Sequence, residues 1–298
     1  MTAGAAGAAR PNAVPVVGVG KAFDSHDVLC RAADACAGAL PATTAARPQG
    51  RLARLSVQGL QHALALGVDT VEATAARLYA WNRLPASAWR RSAAEPALVS
   101  NKSVNAAGTA WVLVAPGPPA SPWCVWRLRN GPVEQAGPGW KLYVSPHPRH
   151  LAEAAAAALA AAASLPVVAL KYGGDAYGIL RPDKLVIHLA TRDAVHELAS
   201  CLLRLLDGCP VHGVPYSAEL GGDGLVSWGC DPPAGSAEAR VGPSWRAWVT
   251  RTLAEGLAGR CNDANEPWRA ALDQIARAGV DPLTWAPMPH LWAQTEAA

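Results

Sequence analysis

Three short apolar segments carry the side chains that could do chemistry. The stretch Gly139-Trp140-Lys141-Leu142-Tyr143-Val144-Ser145-Pro146 reads as a strand bounded by Gly and Pro. Alternation along a strand puts Trp140, Leu142 and Val144 on one face and Lys141, Tyr143 and Ser145 on the other. The first face suits a core; the second offers an ammonium and a phenol side by side. Two more cation-bearing segments follow. One ends in Lys171-Tyr172, and the other runs from Leu180 through Arg181, Asp183 and Lys184 to His188. Three lysines and an arginine near apolar strands suggest a pocket for an anion, and a lysine held there can act as a base.

A lysine base must first lose its proton. Its ordinary pKa is about 10.4, and burial or neighbouring cations bring it toward about 7–8. Such a group suits β-elimination from a phosphoserine or phosphothreonine residue. The base removes the weakly acidic Cα proton, cations hold the phosphate as it leaves Cβ, and donors stabilise charge on the adjacent carbonyl. This chemistry needs no metal or cofactor. None is expected, because the sequence has no metal-ligand cluster, phosphate loop or nucleotide fingerprint.

Further candidates surround these segments. Arg127 and Arg129 alternate with Trp126 and Leu128, as an ordinary polar face or as additional phosphate contacts. His188 shares a strand face with Lys184 and reads as a core histidine or an alternative acid. Asn101 and Lys102 fall in an expected loop. Asp231, before two prolines, marks a turn or orients a cation. Trp228, Trp245 and Trp248 read as core.

Composition narrows the classes. Of 298 residues, 51% are hydrophobic and 16% charged, ample for a core. A net charge of +3 with no basic run interleaved with aromatics argues against nucleic acid. The seven cysteines are irregularly spaced without Cys-x-x-Cys, so buried reduced thiols are expected rather than disulfides or zinc ligands. The Ala-rich stretch from Leu151 to Leu170 carries Glu153 and Pro166 and is no membrane span. A soluble cytoplasmic protein is the expectation.

Positioning these residues requires several elements. Residues 1–20 read as a disordered tail, 21–105 as a helical N-terminal region with helices at 21–40 and 51–82, and 106–298 as an α+β domain. Strands are expected at Trp111–Val114, Trp123–Leu128, Trp140–Val144 and Lys184–Leu189, with a Gly-rich hairpin around Leu225–Trp228. Helices are expected at His150–Ala163, Asp193–Leu206, Ser244–Leu257 and Pro267–Ala278. Helices first, then strands and helices without strict alternation, favour an α+β fold: a helical region packed on a mixed, mainly antiparallel sheet flanked by helices.

The segment GWKLYVSP resembles the signature strand of phosphothreonine lyases among bacterial type III effectors. It also resembles the lyase domains of class III and IV lanthipeptide synthetases, whose strand reads Lys-x-His, a hydrophobic residue, then Ser. Leu180–Leu189, Gly224–Pro233 and Ser244–Val249 look closer still to the HopA-type effector family. Stand-alone members of that family serve as the lyase component in class V lanthipeptide and thioamitide biosynthesis, beside a separate Ser/Thr kinase of the phosphotransferase type. The resemblance implies Lys171 as base, Lys141 as the first signature lysine, and Arg181 and Lys184 as phosphate ligands. Tyr143 stands where the effector lyases have a catalytic His, and serves as a candidate donor. The implied substrate is a phosphorylated precursor peptide, converted to dehydroalanine or dehydrobutyrine residues. Two alternatives stay open: a non-catalytic phosphopeptide-binding partner of a kinase, motivated by the missing His, and an effector-type lyase acting on host proteins.

Overall fold

The computed structural model describes residues 50–85, 96–116, 122–132, 139–232, 236, 244–259 and 267–289. The expected tail at 1–20 and helix at 21–40 lie outside the described residues, as do Cys30, Cys36 and Cys261. Helix α1 spans Arg51–Ala65 and α2 spans Val71–Ala80. The sequence periodicity had run them together. Gly67, in the left-handed region at φ 85°, and the Thr70 cap, which accepts from Ala73 N at 3.2 Å, divide them. A third helix, α3 at Pro96–Ala107, replaces the expected loop. Its Ser and Asn residues read locally as loop. Val99, Ser103 and Ala107 nevertheless form a buried stripe at four-residue spacing, and the helix packs on the next one.

The strands follow: β1 Trp111–Pro116, β2 Trp123–Leu128, β3 Trp140–Val144, β4 Val167–Gly173, β5 Leu185–Leu189, β6 Ala218–Leu220 and β7 Val226–Cys230. Between them lie α4 Leu151–Ala162, the short α5 Ala176–Ile179 and α6 Arg192–Leu205. The chain continues through α7 Trp245–Ala258 and α8 Pro267–Arg277. The sheet order is β1-β2-β4-β5-β3-β7-β6, and all these pairings are antiparallel. The α+β expectation holds.

Register divides the sheet into two faces. Trp126, Leu170, Ile187, Leu142 and Trp228 lie side by side across five strands, each 5% exposed or less. Burying side chains of this size contributes about 1.5–3 kcal/mol each. Helices α4 and α6 pack against this face, Trp111 Nε1 donating to Leu159 O at 3.0 Å and His196 meeting the Trp228 ring. The adjacent row on the opposite face reads Val125, Lys171, Val186, Tyr143 and Ser227. Here the β7 end is covered by α7. The indole of Trp245 fills the space over Gly229, where a Cβ would meet the ring at 2.6 Å. α7 in turn packs on α2 and α8. Toward β4 and β5 this cover gives way to a cavity.

Candidate active site

The cavity holds about 380 Å³ and is lined by Tyr79, Trp123, Lys141, Tyr143, Lys171, Arg181, Asp183, Val186, His188, Asp231 and Ser244. Its floor is two neighbouring rows of the sheet. Lys171, Val186 and Tyr143 occupy one, and His188 and Lys141 the next, with Ala169 beyond His188. Strand alternation therefore brings both lysines, the phenol and the imidazole to one face. The order β4-β5-β3 makes residues distant in sequence adjacent in space.

Lys141 is only 3% exposed, and its ammonium bonds Asp231 Oδ1. The other carboxylate oxygen of Asp231 accepts from Gly139 N at 2.8 Å. A Cβ at Gly139 would meet that oxygen at 2.4 Å, so only glycine admits the clamp. Asp231 thus orients a cation, one of the two roles its sequence position allowed.

Lys171 is half-buried and its Nζ lies 5.1 Å from the centre of the Trp123 ring. Among the described residues it has no hydrogen bond and no carboxylate partner. Burial first, then the Lys141 and Arg181 charges, push its pKa down, against the weaker pull of Asp183 and Asp231. Arg181 stands 5.1 Å from the centre of the same indole, so one aromatic ring attracts both cations.

Arg181 belongs to a buried network. It grips Asp183 with Nε and Nη2, each at 2.9 Å, and Nη2 also donates to Tyr79 Oη at 2.7 Å. Arg246 approaches the same carboxylate at 3.0 Å and donates to Pro215 O and Tyr79 O. Burial alone would raise the Asp183 pKa, but Arg246 and Arg181 outweigh it and hold the carboxyl well below its usual range. Tyr143 shows the opposite balance. Its phenol is 3% exposed, and burial and the Asp183 charge push its pKa well up. Ser244 accepts from Ala247 N at 3.3 Å as the cap of α7, which puts the positive end of a helix at the cavity wall.

The structure thus brings together Lys141, Tyr143, Lys171, Arg181, His188 and Asp231. Lys184, expected among the phosphate ligands, is elsewhere. It is fully buried at the start of β5, donating to Pro146 O at 2.9 Å and to His212 Nδ1 at 2.5 Å. Since His212 Nε2 must donate to Asn82 O, at 2.6 Å, its Nδ1 accepts. Burial drives the Lys184 pKa well down. Arg127 is exposed on β2 outside the cavity lining, and its charge is felt by His188. Arg129 is exposed and turns to Thr109 O at 3.2 Å. Asn101 and Lys102 lie on α3 rather than in a loop, with Lys102 bonded to Glu153.

Sequence reasoning missed Tyr79, Trp123, Asp183, Val186, Ser244 and Arg246. Asp183 had a signal, as a carboxylate two residues from Arg181. Tyr79 and Arg246 reach the site through tertiary packing of α2 and α7 and left none.

The protein is thus of the α+β class, with an antiparallel sheet whose cation-bearing face is left open at the cavity. No protein-family model and no curated protein matches the sequence. The fold is similar to that of solved effector proteins from Pseudomonas syringae. For that of pathovar syringae strain 61, the TM-score is 0.50 at 15% identity, covering 80% of this chain and 99% of the other. For that of pathovar tomato strain DC3000, it is 0.51 at 11%, covering 80% and 98%. A lesser likeness, with TM-score 0.33 at 14% identity, is to the phosphothreonine lyase effector VirA (SpvC) of Chromobacterium violaceum, over 40% of this chain and 65% of that one. Among the described residues, no helix is long and apolar enough to cross a membrane.

Proposed function

We propose that the protein is a phosphoserine/phosphothreonine lyase, acting on a precursor peptide that a separate kinase has phosphorylated. The observation that carries this reading is Lys171, a cation without a carboxylate partner among the described residues, on a cavity floor shared with Lys141 and walled by Arg181. Both of those cations are held by carboxylates, Lys141 by Asp231 and Arg181 by Asp183. They are fixed in place as phosphate ligands, while Lys171 is left with a lowered pKa to exchange a proton.

Elimination follows from this placement. The neutral amine of Lys171 takes the Cα proton. The C–H electron pair becomes the Cα–Cβ double bond, and the Cβ–O bond breaks toward the phosphate held by Lys141 and Arg181. Tyr143 donates a hydrogen bond to the departing oxygens without losing its proton, since burial disfavours the phenolate. The positive end of α7 adds to the affinity for an anion.

The experiment is mass spectrometry of a phosphothreonine peptide incubated with the pure protein, without added metal or nucleotide. Loss of the mass of phosphoric acid supports the lyase. Return of the hydroxyl would mean a phosphatase, and tight binding without turnover would favour a phosphopeptide-binding partner.

A further inference from the structure

We infer that His188 supplies the proton that leaves with the phosphate, an assignment that rests on the lyase reading. His188 sits on β5 beside Lys141 of β3 and diagonal to Lys171 of β4. Its neighbour on β4 is Ala169, too small to cover the ring. The imidazole lines the cavity, is half-buried, and among the described residues has no hydrogen-bond partner on either nitrogen. A histidine serving only the core would have its nitrogens satisfied. This one faces the place where a phosphate bound by Lys141 must lie.

The other donors on the floor are unsuited to proton transfer. Tyr143 is pushed toward the neutral phenol by burial and by the Asp183 carboxylate. Lys141 is tied to Asp231, and Lys171 must be deprotonated to act as the base. His188 also responds to the substrate. Burial and the charges of Lys171, Lys141 and Arg127 push its pKa well below the ordinary value. The carboxylates of Asp231 and Asp183 and the guanidinium of Arg181 complete the charged surroundings. A phosphate dianion placed among these groups adds negative charge beside the ring and so favours the imidazolium as substrate binds.

The proton count closes. His188 enters the step as imidazolium. Lys171 gains the Cα proton, the double bond forms, and the Cβ–O electron pair goes to the bridging oxygen. His188 gives its proton to that oxygen, so hydrogen phosphate leaves. Lys171 then returns the Cα proton to solvent, and His188 regains a proton as the next phosphate binds.

The test compares wild type, His188→Asn, His188→Gln and Tyr143→Phe on a phosphothreonine peptide under single-turnover conditions across neutral pH. Wild type should give a bell-shaped profile, its rising limb from Lys171 and its falling limb from His188 in the complex. Both His188 variants should lose about 10²–10⁴-fold in rate and lack the falling limb, with phosphopeptide affinity little changed. Tyr143→Phe should lose less and keep both limbs. Near-wild-type rates in the His188 variants would overturn the assignment. So would slow variants whose profile parallels wild type, since that marks a structural role. A wild-type protein that eliminates nothing would instead overturn the lyase reading itself.

Discussion

Lys171 and Lys184 both border the same central strands, and burial lowers the pKa of both, yet they do opposite things. Lys184 has turned into the interior, its hydrogens taken by Pro146 O and His212 Nδ1. It fastens the loop after β3 to His212 and, through it, to Asn82 at the end of α2. Lys171 lines the cavity with an indole beside its ammonium and no hydrogen-bond partner among the described residues. A depressed pKa alone therefore does not mark a catalytic lysine. Burial lowers it in both, and what differs is whether the hydrogens are already committed to the protein.

The sharpest break of this comparison is Lys171→Ala. Elimination should fall by at least about 10²–10⁴-fold while phosphopeptide affinity stays close to wild type, measured by single-turnover rates and titration. Near-wild-type turnover would move the base role to Lys141.

Next comes Asp183→Asn, which leaves the buried guanidinium of Arg246 and the half-buried one of Arg181 without their counter-charge. Chemical denaturation should show a loss of about 3–5 kcal/mol, and phosphopeptide binding should weaken as Arg181 loses its anchor. The pH dependence has a definite sign. The folded-state pKa of Asp183 is depressed, so its contribution is present above the unfolded value of about 3.9 and is lost as pH falls toward the folded one. The Asn variant should lack that part of acid destabilisation.

Lys184→Met should act on stability alone. It keeps the stem's packing but strands two buried acceptors, a cost of about 1–3 kcal/mol, with the single-turnover rate unchanged. Because the folded pKa of Lys184 lies below its unfolded value of about 10.4, the unfolded state binds more protons between the two. Stability contributed by this residue therefore rises with pH across that window. The Met variant should rise less steeply than wild type, and a parallel curve would show that Lys184 is charged when folded.

The smallest effects should come from Arg129→Ala and Lys102→Ala. Both side chains bond elsewhere, to Thr109 O and to Glu153, so phosphopeptide affinity should not change measurably. A clear loss would extend the anion site beyond the cavity described.

Much of the site was legible because strand alternation is local. The pattern of Lys141 and Tyr143, and the cations of β4 and β5, could be read before any fold was known. The break at Gly67 was legible too, as a glycine followed by a capping threonine, but hydrophobic periodicity masked it. Helix α3 was not, since its Ser and Asn residues favour loops and only burial of Val99, Ser103 and Ala107 overrides them. Lys184 misled for a different reason. It has the same strand parity as Val186 and His188, and parity says nothing of which neighbour a long side chain will reach. Tyr79 and Arg246 needed the packing of α2 against α7, a contact across most of the chain.

The central claim is that the phosphate leaves by carbon–oxygen cleavage at a cavity floored by Lys171. Running the wild-type reaction on a phosphothreonine peptide in water enriched in heavy oxygen tests it directly. Elimination predicts released phosphate with no label and a dehydrobutyrine in the peptide. Labelled phosphate with an intact threonine would show attack by water on phosphorus, and would contradict the account.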